Sequence, residues 1–307
     1  MFHCEQDHLG HIVFGAHDGI GSWTIHLDRV PEVAQHVVTQ HEYAHHHLQS
    51  SSAWGMAMIT SAVVDDSGTA ASAAWTAFAR ACRSVHEMFA TYFSVIGIDD
   101  GLEHYRGNMR YLRYYGLGTA LIGGLPLSPA GRKRAIEDLS RALMSPAWLT
   151  ELTFDQVRRL GQSGDGLPGA PDARLHVLIQ SIADESVSTP LARLFEETDD
   201  SRDRWDPLAA RLSALGIDCP DHEDLMNWTA VMVDGCNEFL PVSIEIEGRG
   251  SDPLMSLVEN HSRERLRLHS QHRRDAATSE LGRTNDPADQ RRPGTPHRGT
   301  RTHADPR

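Results

Sequence analysis

Apolar residues recur at three- and four-residue steps along most of the chain, the spacing that gathers them on one face of a helix. From Glu32 to about Gln49 that stripe reads Ala34, Val37, Val38, His41, His45 and Leu48. Asp28 and Pro31 ahead of it mark a helix start. A second helical segment is predicted from about Ser52 to Val64, ended by Asp65-Asp66-Ser67-Gly68. A third, from about Thr69 to Ile96, carries Trp75, Phe78, Cys82, Val85, Phe89 and Phe93, and stops at Gly97 and Asp99-Asp100-Gly101. An aromatic-rich stretch follows from Tyr105 to Tyr115, then a joint at Gly123-Gly124 and Pro126 to Gly131. The remainder reads as further helices, interrupted by a loop from Gly161 to Asp172.

Strand patterns are few. His11-Ile12-Val13-Phe14 and Trp23-Thr24-Ile25-His26-Leu27, separated by a turn-rich stretch, read as an N-terminal β-hairpin. Phe239 to Glu247 reads as a late strand, with Pro241 pointing to an edge position. The expected fold class is therefore α+β, mostly α-helical. Three parts are expected: residues 1–130, a mainly helical 131–262, and a basic tail, 263–307, without fixed structure.

Charge sharpens that division. The net charge of the 307-residue chain is −13, yet residues 261–307 carry eleven Arg against six Asp or Glu, leaving the preceding chain at −18. An acidic body argues against nucleic acid as a partner, and the tail has the composition of a solvated, disordered segment. Four scattered cysteines, Cys4, Cys82, Cys219 and Cys236, form no CxxC pair and no disulfide framework. The first twenty residues lack the pattern of a secretory signal. The longest apolar run, Ala53 to Val64, is too short to span a bilayer. A soluble cytoplasmic protein with no membrane partner is expected.

The chemistry lies in the first helical stripe. His41 and His45 are four residues apart, so both imidazoles project from one face. They interrupt an apolar stripe and are expected to face the interior, where each ring nitrogen needs a partner. A metal on one nitrogen and an acceptor on the other would satisfy both. Glu42 sits about 100° round the helix, placed to reach water beside the ion. His41-Glu42-Tyr43-Ala44-His45 is the His-Glu-x-x-His pattern of metalloproteases, with Glu42 as general base. His46 and His47 point to other faces and read as neighbours rather than ligands. Zinc takes three protein ligands in a catalytic site, and Glu87 is the expected third. Small residues flank it on its own helix face: Ser84, Ala90, Thr91 and Ser94.

This pattern, followed by His86-Glu87-Met88-Phe89-Ala90, resembles the gluzincin metallopeptidases, the thermolysin and zinc-aminopeptidase group. In them a second helix carries an Asn-Glu pair whose Glu completes the zinc site. The resemblance implies a zincin-like fold with an active-site helix and a glutamate helix, zinc held by His41, His45 and Glu87, and His86 in the Asn position. His-Glu-Tyr-x-His-x-x-Leu-Gln, running through Leu48 and Gln49, also resembles bacterial zincin-like proteins. The resemblance covers about residues 33 to 95. It departs from the family in the 41 residues between His45 and Glu87, in His86, and in His47 where an apolar residue is usual.

The expected activity is zinc-dependent hydrolysis of a peptide or protein substrate. Glu42 would take a proton from the attacking water and pass it to the leaving nitrogen. Tyr92, His104, Tyr105, Tyr114 and Tyr115 are the candidate oxyanion donors. The alternatives are a non-catalytic, zinc-stabilised binding or scaffold protein, and an amidohydrolase acting on a non-peptide substrate. A fourth protein ligand, such as His46 or His86, would favour the scaffold. Gly161 to Gly169 lacks the setting of a nucleotide-binding loop, and Asp221-His222-Glu223-Asp224 reads as a solvated helix start.

Overall fold

The stripe from Glu32 forms helix α1 (Glu32–Ser51), and the apolar run after it forms α2 (Ala53–Val63). Ser52 breaks the two apart. Its hydroxyl donates to the Leu48 carbonyl at 2.7 Å and accepts from the Gly55 amide at 3.2 Å, so one side chain closes α1 and opens α2. Glycine is required at position 55, because a Cβ there would lie 2.0 Å from the Gln49 carbonyl oxygen.

The structure, a computed structural model, describes residues 2–6, 12–17, 23–25, 32–63, 73–96, 98, 101–160 and 167–239. The chain divides into two units, Met1–Ser262 and Arg263–Arg307, and all described residues lie in the first. The expected disorder of the tail and most of the expected late strand fall outside the described residues. Phe239 itself ends a helix.

The single helix expected from about Thr69 to Ile96 is corrected to two, α3 (Ala73–Ala81) and α4 (Arg83–Val95). They break at Cys82, whose φ −117° and ψ 4° leave the helical range. The sequence around Cys82 offers no capping side chain. Instead Asp172, far along the chain, accepts from the Ser84 and Val85 amides at 3.0 Å each. A carboxylate there satisfies two of the donors that a helix start leaves open and suits the positive end of the helix dipole.

A 3-10 turn (Gly101–Tyr105) leads into α5 (Met109–Gly123), opened by Asn108, which accepts from the Arg110 amide. Then come α6 (Pro129–Leu143), α7 (Ala147–Thr150), α8 (Phe154–Arg159), α9 (Pro171–Ile182), α10 (Glu185–Glu197), α11 (Ser201–Ser213) and α12 (His222–Phe239). Local chemistry sets several starts: Ser128 with Pro129 for α6, a Thr153–Gln156 capping box for α8, Asp184 for α10 and Asp200 for α11.

The expected α+β class, with a zincin-like fold on an N-terminal hairpin, is overturned. Most of the described residues are helical. Short segments β1 (Phe2–Gln6), β2 (Ile12–His17) and β3 (Trp23–Ile25) pair antiparallel in the order β1-β2-β3, a meander of 5, 6 and 3 residues rather than a sheet layer. The apolar core that the described side chains form is helical. Its main cluster runs from Ala44, Leu48 and Trp54 through Phe89, Leu121, Leu139, Leu175 and Trp205 to Cys236. A smaller one joins Ala34, Val37, Val38, Val95, Tyr105 and Tyr111. No helix is long and apolar enough to cross a membrane among the described residues.

Candidate metal centre

α1 and α4 pack along their length and run antiparallel. Gln49 meets His86 toward one end, while Val37, Val38 and Val95 share the smaller cluster toward the other. His41 and His45 therefore lie between two apolar clusters, as their place in the stripe predicts. Close approach of the helices is allowed by Ala90, Thr91 and Ser94, all fully buried on α4.

The two imidazoles turn their Nε2 atoms toward each other, 3.1 Å apart. Glu87 on α4 brings Oε2 to 3.8 Å from each. These three residues form a group that can hold a metal ion, with ligand atoms all within 4.8 Å of one another. Two nitrogens bound at 2.0–2.1 Å to one tetrahedral ion lie about 3.3 Å apart. The imidazole spacing matches that value, and the carboxylate stands about half an ångström wide of it, a gap that a small side-chain rotation closes. His41 and His45 are 0% exposed and Glu87 2%. Burial pushes the His41 imidazole down to about 3. The ring is thus neutral at pH 7, the form that binds a metal.

The opposite ring nitrogens are engaged. His41 Nδ1 lies 3.1 Å from the Tyr105 hydroxyl, which lies 3.0 Å from Ser94 Oγ. His45 Nδ1 lies 2.8 Å from His86 Nδ1, and His86 Nε2 lies 3.0 Å from Gln49 Oε1. Tyr111 stands edge-on to His41 with ring centroids 5.4 Å apart, and His86 stacks on His45 at 5.1 Å.

His41, His45 and Glu87, the three ligands named from sequence, are thus brought together. Glu42 is fully buried on α1. His86 is not a fourth ligand of this cluster, since its ring points to His45 Nδ1 and Gln49. Among the described residues, no further His, Cys, Asp or Glu joins the group. His46 is buried, and His47 is half-buried and stacks on Tyr43 at 6.0 Å.

The candidate oxyanion donors separate. Tyr105 is committed to His41, and Tyr92 and Tyr115 stack on each other at 5.5 Å. Tyr114 has its phenol raised by burial first and by the Glu87 charge second. His104 lies half-buried on the 3-10 turn. Asp221 opens α12 by accepting from the Asp224 amide at 2.7 Å, as expected of a helix start.

Sequence reasoning missed three participants. Gln49 carried a usable signal, because it continues the four-residue step of His41 and His45 on the same face. Tyr111 lay in the aromatic stretch without a distinguishing mark. Gly55 acts through its backbone, which side-chain patterns do not reveal. Compared with family models, curated proteins and solved structures, the chain matches none.

Proposed function

We propose that the protein is a zinc-dependent hydrolase, with a peptide bond as the first substrate class to test. The observation that carries this reading is the meeting of two imidazole Nε2 atoms and one carboxylate oxygen in a buried site. Three protein ligands is the number found in catalytic zinc sites, whereas structural sites take four. The ligand order His-Glu-x-x-His followed by Glu is that of the gluzincins, and the resemblance supports the reading at the level of the ligands only.

Zinc bound here would supply Lewis-acid activation of water and of the scissile carbonyl. The remaining work falls to the chain. His41, His45 and Glu87 would hold the ion. Glu42 accepts the water proton as the carbonyl is attacked and returns it to the leaving nitrogen. The body's acidic charge disfavours nucleic acid as substrate, and a cytoplasmic location belongs to the same reading.

A second reading is favoured by one observation. The complete burial of the ligands suits a metal that fastens α1 to α4 in a binding or scaffold protein. One experiment separates them. Zinc-loaded protein is screened against a peptide library, beside Glu42→Gln. The hydrolase reading expects cleavage that Glu42→Gln abolishes while metal content stays at about one equivalent. Zinc retention without cleavage of any peptide would favour the scaffold. Loss of zinc from Glu42→Gln would remove Glu42 from the role of base.

A further inference from the structure

Two hydrogen-bonded chains lead away from the candidate ligands, and each ends on a backbone carbonyl that can only accept. With one proton on each imidazole, that fixes the direction of every proton along them.

On the first chain, Gln49 Nε2 donates to the Gly55 carbonyl at 3.1 Å. The amide is thereby oriented, and its Oε1 faces His86 Nε2 at 3.0 Å. An amide oxygen only accepts, so His86 carries its proton on Nε2. His86 Nδ1 is then the acceptor for His45 Nδ1–H at 2.8 Å. His45 is left with a bare Nε2, the atom facing His41 and Glu87.

On the second chain, Ser94 Oγ donates its proton to the Thr91 carbonyl at 2.9 Å. Ser94 Oγ can therefore only accept from the Tyr105 hydroxyl at 3.0 Å. With its proton given to Ser94, Tyr105 accepts from His41 Nδ1–H at 3.1 Å. His41 is also left with a bare Nε2, so the 3.1 Å approach of the two Nε2 atoms sets one acceptor against another instead of making a hydrogen bond, a pairing that a shared cation relieves.

We propose that His86, Gln49, Tyr105 and Ser94 are positioning residues that lock both imidazoles in the Nδ1–H tautomer, so that two Nε2 lone pairs converge on one metal ion. The metal-binding part rests on the reading above; the tautomer assignment does not. Gly55 is the fixed end of one chain. Only glycine allows α2 to pass Gln49 this closely, and the same approach presents the carbonyl that orients the Gln49 amide.

The test begins with the full-length protein, stripped of metal and labelled with 15N-histidine. Nitrogen shifts should report Nδ1–H for His41 and His45 and Nε2–H for His86. An Nε2–H tautomer at either His41 or His45 would overturn the proposal, whatever the protein binds.

Zinc affinity is then measured by chelator competition. Tyr105→Phe and His86→Phe should each weaken binding roughly 10–100-fold. His86→Gln, whose side-chain carbonyl can accept from His45, should recover most of that loss. Ser94→Ala frees the Tyr105 proton to point at His41 and should weaken zinc without touching a ligand. Added to Tyr105→Phe, it should cost nothing further, because both act through one proton. Wild-type affinity in His86→Phe, or losses from Ser94→Ala and Tyr105→Phe that multiply, would refute the relay. If the wild-type protein binds neither zinc nor cobalt, the metal reading fails, and the histidine spectra still decide the tautomers.

Discussion

The α1–α4 interface and the packed helices α6–α12 are both buried, but they bury different things. In the later helices the buried charged side chains Asp138, Arg174 and Arg204 have defined partners. Asp138 accepts from Arg204 Nε at 2.6 Å and from Ser201 at 2.8 Å, while Arg204 also donates to two carbonyls. Arg174 donates to the carbonyls of Asp218 and Ala142. On α1 and α4 the buried polar set is His41, Glu42, His45, His46, Gln49, Ser50, His86, Glu87, Thr91 and Ser94, with no buried Arg or Lys among the described residues of these two helices. Burying polar groups costs stability unless their partners are supplied. The later helices supply basic side chains for that purpose. The α1–α4 interface supplies histidines and carboxylates, a donor set suited to a cation brought from outside.

The largest effects should separate the two regions cleanly. His45→Ala is expected to reduce zinc from about one equivalent to none, measured by metal analysis of the purified protein. Arg204→Ala should leave zinc content unchanged and lower unfolding stability by about 3–5 kcal/mol, because it strands the Asp138 carboxylate in the interior. Urea denaturation checks the second value. Loss of zinc in Arg204→Ala, with the fold retained, would mean that the regions are not separable in this way.

A smaller effect sharpens the contrast through linkage. Zinc at a hundredfold excess over its Kd should stabilise the folded protein by about 2.7 kcal/mol. A chelator should remove that increment from the wild type. It should change nothing in His45→Ala, whose stability is then the metal-free baseline. Urea midpoints with and without zinc read both. An equal zinc increment in His45→Ala would place the stabilising ion elsewhere.

How much of this was legible depends on whether a feature is local. His41, Glu42 and His45 sit on one helix, so spacing alone fixed their common face. Glu87 needed a second helix and a resemblance to locate it. Leu48, Val37 and Val38 were readable as core because a stripe is a local pattern. The break at Cys82 was not, since its cause is a carboxylate that arrives from the start of α9. The fold class was misjudged because two short alternating runs were given the weight of a sheet layer, although most apolar residues followed the helical step. Tyr105 was singled out as an oxyanion donor, but its contact with His41 depends on how the 3-10 turn returns to α1, and no periodicity encodes that.

Asp172 ties the two regions together, and it gives the smallest and most specific test. It belongs to the later helices but caps α4, the helix that carries His86 and Glu87. Asp172→Ala should cost about 1 kcal/mol, the usual penalty for losing a helix cap. Its pH dependence is the more telling quantity. Burial raises the Asp172 carboxyl above its ordinary range, against the downward pull of the Ser84 and Val85 amides. A carboxyl whose folded pKa is raised contributes stability that is fully present below the unfolded value, near 3.9, and is lost as pH rises through the folded value. The wild type should therefore lose stability relative to Asp172→Asn as pH climbs from about 4, and the difference should level off once Asp172 is ionised in the folded state. Urea midpoints of the two proteins across that interval measure the step. A wild type that gains on the Asn variant over the same interval would show that the two amide bonds outweigh burial, making the cap a net attraction for the ionised form.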